Sequence, residues 1–146
     1  MKLSDIRREL LEQHHQIRAL MAGTRAHAER VLSGEGSGDE LRASLTRLAN
    51  AVRAHNVREE ELLGDIIQSL DAWGPARAAV MTDEHAKEHT RLHAALLDLR
   101  STEQTSVDSV LALVALMRDH MDREEQIFLH QDVLCDDLVV ADQADG

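Results

Sequence analysis

Seven side chains able to hold a metal recur along the chain: His14, then His55 with Glu59, His85 with His89, and His120 with Glu124. Residues four apart on a helix lie one turn above each other, their Cβ atoms about 6 Å apart, and point the same way. Two such side chains can reach one ion, or each of two neighbouring ions. All seven interrupt apolar stripes. The first stripe reads Leu3, Ile6, Leu10, His14, Ile17, Met21. The second reads Leu41, Leu45, Leu48, Val52, His55, Glu59, Leu62, Ile66, Leu70. The third is Ala78, Met81, His85, His89, Leu92, Leu96, Leu99, and the fourth Val107, Val110, Val114, Met117, His120, Glu124, Ile127. Each step is three or four residues, so the pattern predicts that the polar members lie on buried helix faces.

The elements that must position them are four helices. The first is expected from Leu3 to Leu32, ending at the Gly/Ser-rich stretch Ser33-Gly34-Glu35-Gly36-Ser37-Gly38. The second spans about 39–70, before Asp71-Ala72-Trp73-Gly74-Pro75, which offers a Gly stop and a Pro start. The third spans about 75–99, and a polar stretch, 100–105, separates it from the fourth, about 106–130. Such short connections make consecutive helices antiparallel neighbours. The expected fold is therefore all-α, an up-down-up-down antiparallel four-helix bundle over 1–130. A short acidic tail, 131–146, follows as a short helix or loose chain.

In an antiparallel pair, residues equally far from the connecting turn lie side by side. His14 is about 21 residues before the middle of the Gly/Ser stretch, and His55 about 20 after it. The same comparison across the other two connections mismatches by only a few residues, so at about 1.5 Å per residue all seven groups fall in one slab. Burying a carboxylate or an unpaired polar group costs several kcal/mol, more for a charge. A metal offsets that cost, whereas a metal-free His–Glu hydrogen-bond network is the alternative. Five imidazoles and two carboxylates, without a thiolate, exclude iron–sulfur clusters and disfavour structural zinc. Seven ligands exceed the capacity of one ion and imply two. If both carboxylates and one solvent-derived oxygen (oxo or hydroxo) bridge the ions, three histidines complete six-coordination on one. Two histidines leave the other five-coordinate, with one position open to dioxygen or peroxide. Two iron ions are the first expectation, with manganese or zinc as substitutes.

Composition agrees with helices and limits the partners. Apolar residues make up 43% of the 146-residue chain, yet Trp73 and Phe128 are its only aromatics, so the core is aliphatic. The net charge of −11 repels nucleic-acid phosphate and anionic lipid. No apolar run approaches the roughly 18 residues of a membrane span, and no signal segment follows Met1, so a cytoplasmic location is expected. Cys135 is single and cannot form an internal disulfide. A monomer or weak homodimer is expected.

The pieces His14-x-x-Ile17, His55-Asn56-Val57-Arg58-Glu59, His85-Ala86-Lys87-Glu88-His89 and His120-Met121-Asp122-Arg123-Glu124-Glu125 resemble the hemerythrin-like (HHE cation-binding) family, in its bacterial single-domain form. The resemblance covers nearly the whole chain before the tail, with the motifs in family order. It implies a non-haem di-iron centre bridged by Glu59 and Glu124, with His14, His55, His85, His89 and His120 as terminal ligands. Oxygen-carrier hemerythrins place the last bridging carboxylate, an Asp, five residues after the histidine. Here the stripe favours Glu124, at four, over Glu125. Three functions fit: binding of dioxygen for storage, delivery or sensing; decomposition of hydrogen peroxide or handling of nitric oxide; and an iron store or iron-responsive interaction module.

Several neighbours compete with these assignments. His15 follows Leu11 but precedes Arg18 and drifts outward, so His14 is favoured. His93 extends the third run but lies beside Leu92 and is expected at the rim; His27 and His130 are expected on the surface. Glu60 and Glu61 are expected in solvent, with Glu60 able to orient a ligand.

Overall fold

The computed structural model describes residues 2–69, 75–101 and 106–130, together with Leu134 and Asp136. The described residues form four helices and no strand: α1 (Leu3–Leu32), α2 (Gly38–Ser69), α3 (Pro75–Ser101) and α4 (Val107–Ile127). Helix α1 packs on α2 and α4, and α3 packs on the same two, so the four close into a ring around a shared interior.

Local chemistry sets the ends. Past α1, Gly34 takes φ +78°, a left-handed conformation that costs glycine nothing. Its N–H donates to Val31 O (3.2 Å) and the Glu35 N–H to Arg30 O (2.9 Å), the paired bonds of a Schellman stop. Ser37 Oγ then accepts the Glu40 N–H at 3.2 Å and starts α2. Helix α1 lacks a side-chain cap of its own. Asp136 supplies one from the far end of the chain, accepting the Ser4 N–H (3.1 Å) and Ser4 Oγ–H (2.7 Å). The fourth helix stops at Ile127, three residues short of the expected His130, because Phe128 and Leu129 turn into the interior and are buried. The expected Trp73-Gly74 turn, the stripe side chains of Ala78 and Met81, Leu70 and Cys135 lie outside the described residues.

The apolar stripes meet in three clusters. One joins Leu3, Ile6 and Leu10 of α1 to Leu63 of α2 and to Phe128, Leu129 and Leu134. The largest brings Ile17, Met21, Leu48, Val52, Leu92, Leu96 and Met117 together. The third holds Ala28, Leu41, Leu45 and Val110. Leu134, from the segment expected as tail, is 1% exposed and packs with the first cluster. His14, His55, Glu59, His89, His120 and Glu124 are also buried, and they occupy the layer between the first two clusters.

Candidate metal centre

Each helix contributes to this layer from its apolar face. His14 is fully buried, His55, Glu59, His89, His120 and Glu124 are at most 5% exposed, and the His85 side chain is 10% exposed. The seven fall into two groups whose ligand atoms lie within 4.8 Å of one another: His85, His89, His120 and Glu124; and His14, His55, Glu59 and Glu124.

Glu124 belongs to both groups, and its two oxygens divide between them. Its Oε1 faces His85 Nε2 (3.3 Å), His89 Nε2 (3.5 Å) and, closer still, His120 Nε2. Its Oε2 faces His14 Nε2 (3.4 Å) and His55 Nε2 (3.8 Å). The closest contacts of Glu59 also reach both groups, with Oε1 2.9 Å from His85 Nε2 and Oε2 2.8 Å from His55 Nε2, although Oε2 lies 3.9 Å from His89 Nε2 as well. The Nε2 atoms of His14 and His55 are 3.1 Å apart.

All five imidazoles turn Nε2 inward, and four of them meet a polar group with Nδ1. His14 Nδ1 donates to Glu125 Oε1 (3.3 Å) and His55 Nδ1 to Gln13 Oε1 (2.8 Å). His120 Nδ1 faces Glu88 Oε1 at 3.1 Å, and His89 Nδ1 faces Glu60 Oε1 at 3.6 Å. An outward Nδ1–H leaves the lone pair on Nε2, which is the tautomer a metal requires. Two of these partners are themselves held by arginine. Arg18 forks onto both oxygens of Glu125 (2.6 and 2.7 Å) and reaches Asp122 (2.8 Å), and Arg123 pairs with Glu88.

The electrostatics follow from this crowding. Burial alone would push His55 and His85 down. The facing carboxylates of Glu124 and Glu59 outweigh it and raise His55 to about 9 and His85 to about 10. Burial would likewise raise Glu124, but the imidazoles of His120, His14, His55 and His85 crowded against it hold its carboxyl well below the usual range. Arg18 holds Glu125 low against partial burial, with His14 adding to the effect.

Protein groups alone leave the centre unsatisfied. Both oxygens of Glu59, Glu124 Oε2, His85 Nε2 and both nitrogens of His120 are buried without a hydrogen-bond partner among the described residues. Orphaned acceptors converging in an apolar interior are costly. Cations meet that need, and two groups of imidazole nitrogens and carboxylate oxygens suit a pair of divalent or trivalent first-row metals. The residues present fit such a pair.

Of the competing residues, His15, His93 and His130 are exposed and His27 is half-buried near Glu40. Glu125 belongs to neither group; it pairs with Arg18 and meets His14 only at its outward Nδ1. Glu60 is exposed and faces a ligand candidate, whereas Glu61 pairs with Arg58. Sequence reasoning passed over Gln13, Glu88, Arg18 and Arg123. Their signal was positional: Gln13 and Glu88 precede His14 and His89, and each arginine follows a histidine by one helical turn.

Four packed helices enclosing paired His–Glu groups define a helical metal-binding protein. The family model for the hemerythrin HHE cation-binding domain matches residues 5–131, and the chain belongs to that family. No curated protein and no solved structure matches the chain.

Proposed function

We propose that this chain is a non-haem di-iron hemerythrin-like protein that binds dioxygen or peroxide at one open coordination position. The role fits oxygen binding, storage or sensing in the cytoplasm. Glu59 and Glu124 would be shared between the two ions, with His85, His89 and His120 placed to hold one and His14 and His55 the other. One observation carries the reading: the two oxygens of Glu124 face different histidine groups, an arrangement suited to a carboxylate spanning two ions. Membership of a cation-binding family supports it independently. When bound, a pair of irons with one vacancy supplies redox-linked binding of a small oxygen ligand. The chain's own residues hold His14 and His55 as Nδ1–H tautomers with the Nε2 lone pair inward, share two carboxylates between the groups and line the layer with aliphatic walls.

The three clusters support an up-down-up-down topology. The start of α1 meets the ends of α2 and α4, and the end of α1 meets their starts. We read residues 1–130 as one bundle domain, with 131–146 as an acidic segment docked at least through Leu134 and Asp136. No described helix is long and apolar enough to cross a membrane.

A second reading, decomposition of hydrogen peroxide, is favoured by the absence of any Tyr from the chain. No phenol stands near the centre to be oxidised; Phe128, with its ring 4.6 Å from that of His85, takes that place. The deciding experiment is iron per chain, with an optical spectrum before and after reduction and peroxide addition. Two irons with di-ferric bands are expected. Vigorous gas evolution with intact bands would assign the peroxide enzyme. No iron and no bands in a folded protein would overturn both readings.

A further inference from the structure

Gln13 accepts the Nδ1–H of His55 through its amide oxygen, and an amide can do this in only one of its two orientations. Turned over, it would aim its own N–H donors at Nδ1 and favour a proton on Nε2, the atom that must stay free for a metal. The surroundings decide between the two. One turn before Gln13 on α1 stands Glu9, whose Oε1 accepts the Gln13 Nε2–H at 3.5 Å. Arg58, on α2 and about one turn beyond His55, forks onto both oxygens of Glu9 at 2.6 and 3.2 Å. The four side chains thus close a loop between two helices, from His55 to Gln13, on to Glu9, and back through Arg58. A reversed amide would set its oxygen against the Glu9 carboxylate, acceptor against acceptor.

We propose that Glu9, clamped by Arg58, is a positioning residue that locks the Gln13 amide and through it keeps the Nδ1 proton of His55 outward and Nε2 inward. This rests on reading His55 Nε2 as a metal ligand. Arg58 and Glu9 are half-buried at the helix surface, so their ion pair adds little stability of its own, and the direction it imposes is what counts. The neighbouring histidine of the same group supplies the contrast. His14 Nδ1 meets Glu125, and Arg18, one turn along α1, forks onto that carboxylate. Both histidines therefore have an arginine about one turn away that holds a carboxylate, but the group touching the ring differs. A carboxylate offers two equivalent oxygens and accepts whichever way it turns. An amide has one acceptor end, so His55 alone of the two needs a residue that orients its partner.

The test follows the ring protons by NMR on the full chain with isotope-labelled histidine, both metal-free and loaded with diamagnetic zinc. Three variants are compared with the parent. Gln13→Leu removes the acceptor, and Glu9→Leu removes only the group that orients it. The exchange Glu9→Gln with Gln13→Glu moves the carboxylate beside His55 and keeps every donor facing an acceptor along the loop. In the parent a slowly exchanging proton on His55 Nδ1 is expected with and without metal. Gln13→Leu should lose it, Glu9→Leu should speed its exchange about tenfold, and the paired exchange should restore it. The His14 Nδ1 proton, held by Glu125, should stay as in the parent throughout. In iron-loaded protein, release to a chelator should quicken about tenfold in Glu9→Leu and return to the parent rate in the paired exchange. A purely structural surface ion pair would instead leave the paired exchange as leaky as Glu9→Leu, and that result overturns the proposal. An unchanged His55 proton in loaded Glu9→Leu also overturns it and leaves the metal reading standing. Protein that takes up no metal, yet shows the same dependence on Glu9, keeps the lock and loses only that reading.

Discussion

Histidine orientation is the first thing this centre must solve, and it is solved from the outside. The Glu125 and Gln13 side chains accept the Nδ1–H of His14 and His55, so Nε2 is left to the interior. Glu124→Ala should therefore lose iron and the visible bands. Glu125→Ala should keep both irons but release them to a chelator about 10–100-fold more readily, the usual cost of removing an outer partner. His89→Ala should lose at least one iron; unchanged stoichiometry there would sink the ligand assignment. Proton release gives a second check. In the metal-free chain His55 and His85 stay protonated up to about pH 9 and about pH 10, respectively. Their raised values stabilise the empty fold fully below about pH 6.5 and cease to do so as pH climbs through 9 and 10. Metal must displace those protons, so apparent affinity should rise from pH 7 to 9, with acid released on loading. A flat affinity profile in a pH-stat titration would contradict the arrangement. The seven central residues were legible in sequence because helix periodicity alone assigns a face. Gln13, Glu88 and Arg18 were not, because they sit beside the stripes and only the rotation of neighbouring helices decides what they meet.

Helices in such a ring must also be held at one height, since a shift of a single turn would separate His14 from His55. Thr24 of α1 and Ser44 of α2 are both buried, and their hydroxyls meet at 2.8 Å. Shared between the two helices joined by the Gly34 stop, this bond pins their register. Thr24→Val leaves Ser44 Oγ buried without that partner and should cost about 1–3 kcal/mol. Adding Ser44→Ala should recover much of the loss, as a double-mutant thermal denaturation series would read. Equal losses for the single and double variants would remove the pin. Element existence was legible throughout, from four stripes and their breaks. Boundaries were less so. Phe128 and Leu129 continue the apolar pattern of α4 as a helix would, and only the space beneath Leu3 and Leu63 draws them out of it.

Taken whole, the molecule carries its unsatisfied polar groups at mid-height, with aliphatic clusters on either side. The metal is then part of the fold, and removing it should be felt globally. In a domain of this size each kcal/mol moves Tm by about 2–4 °C. Chelator-treated protein should melt roughly 10 °C or more below the loaded form by circular dichroism while remaining helical at 25 °C. Identical melting curves would mean that the His–Glu layer is stable as a metal-free network. The clusters on both sides predict that helix content survives, since they bury their surface whether or not the centre is filled.

The Ser4–Asp136 contact has a consequence for how the chain can be written. Residue 136 caps the first turn of α1, and Leu134 packs beside Leu3, so the two extremities of the described fold lie side by side. A circular permutant that joins them by a short linker and opens the chain at Gly36 would cut no helix. In that polypeptide His14 would come last, after Glu124, and the family's motif order would be scrambled. Its iron per chain should match the parent's, because the centre depends on which faces meet and not on the order in which they are synthesised.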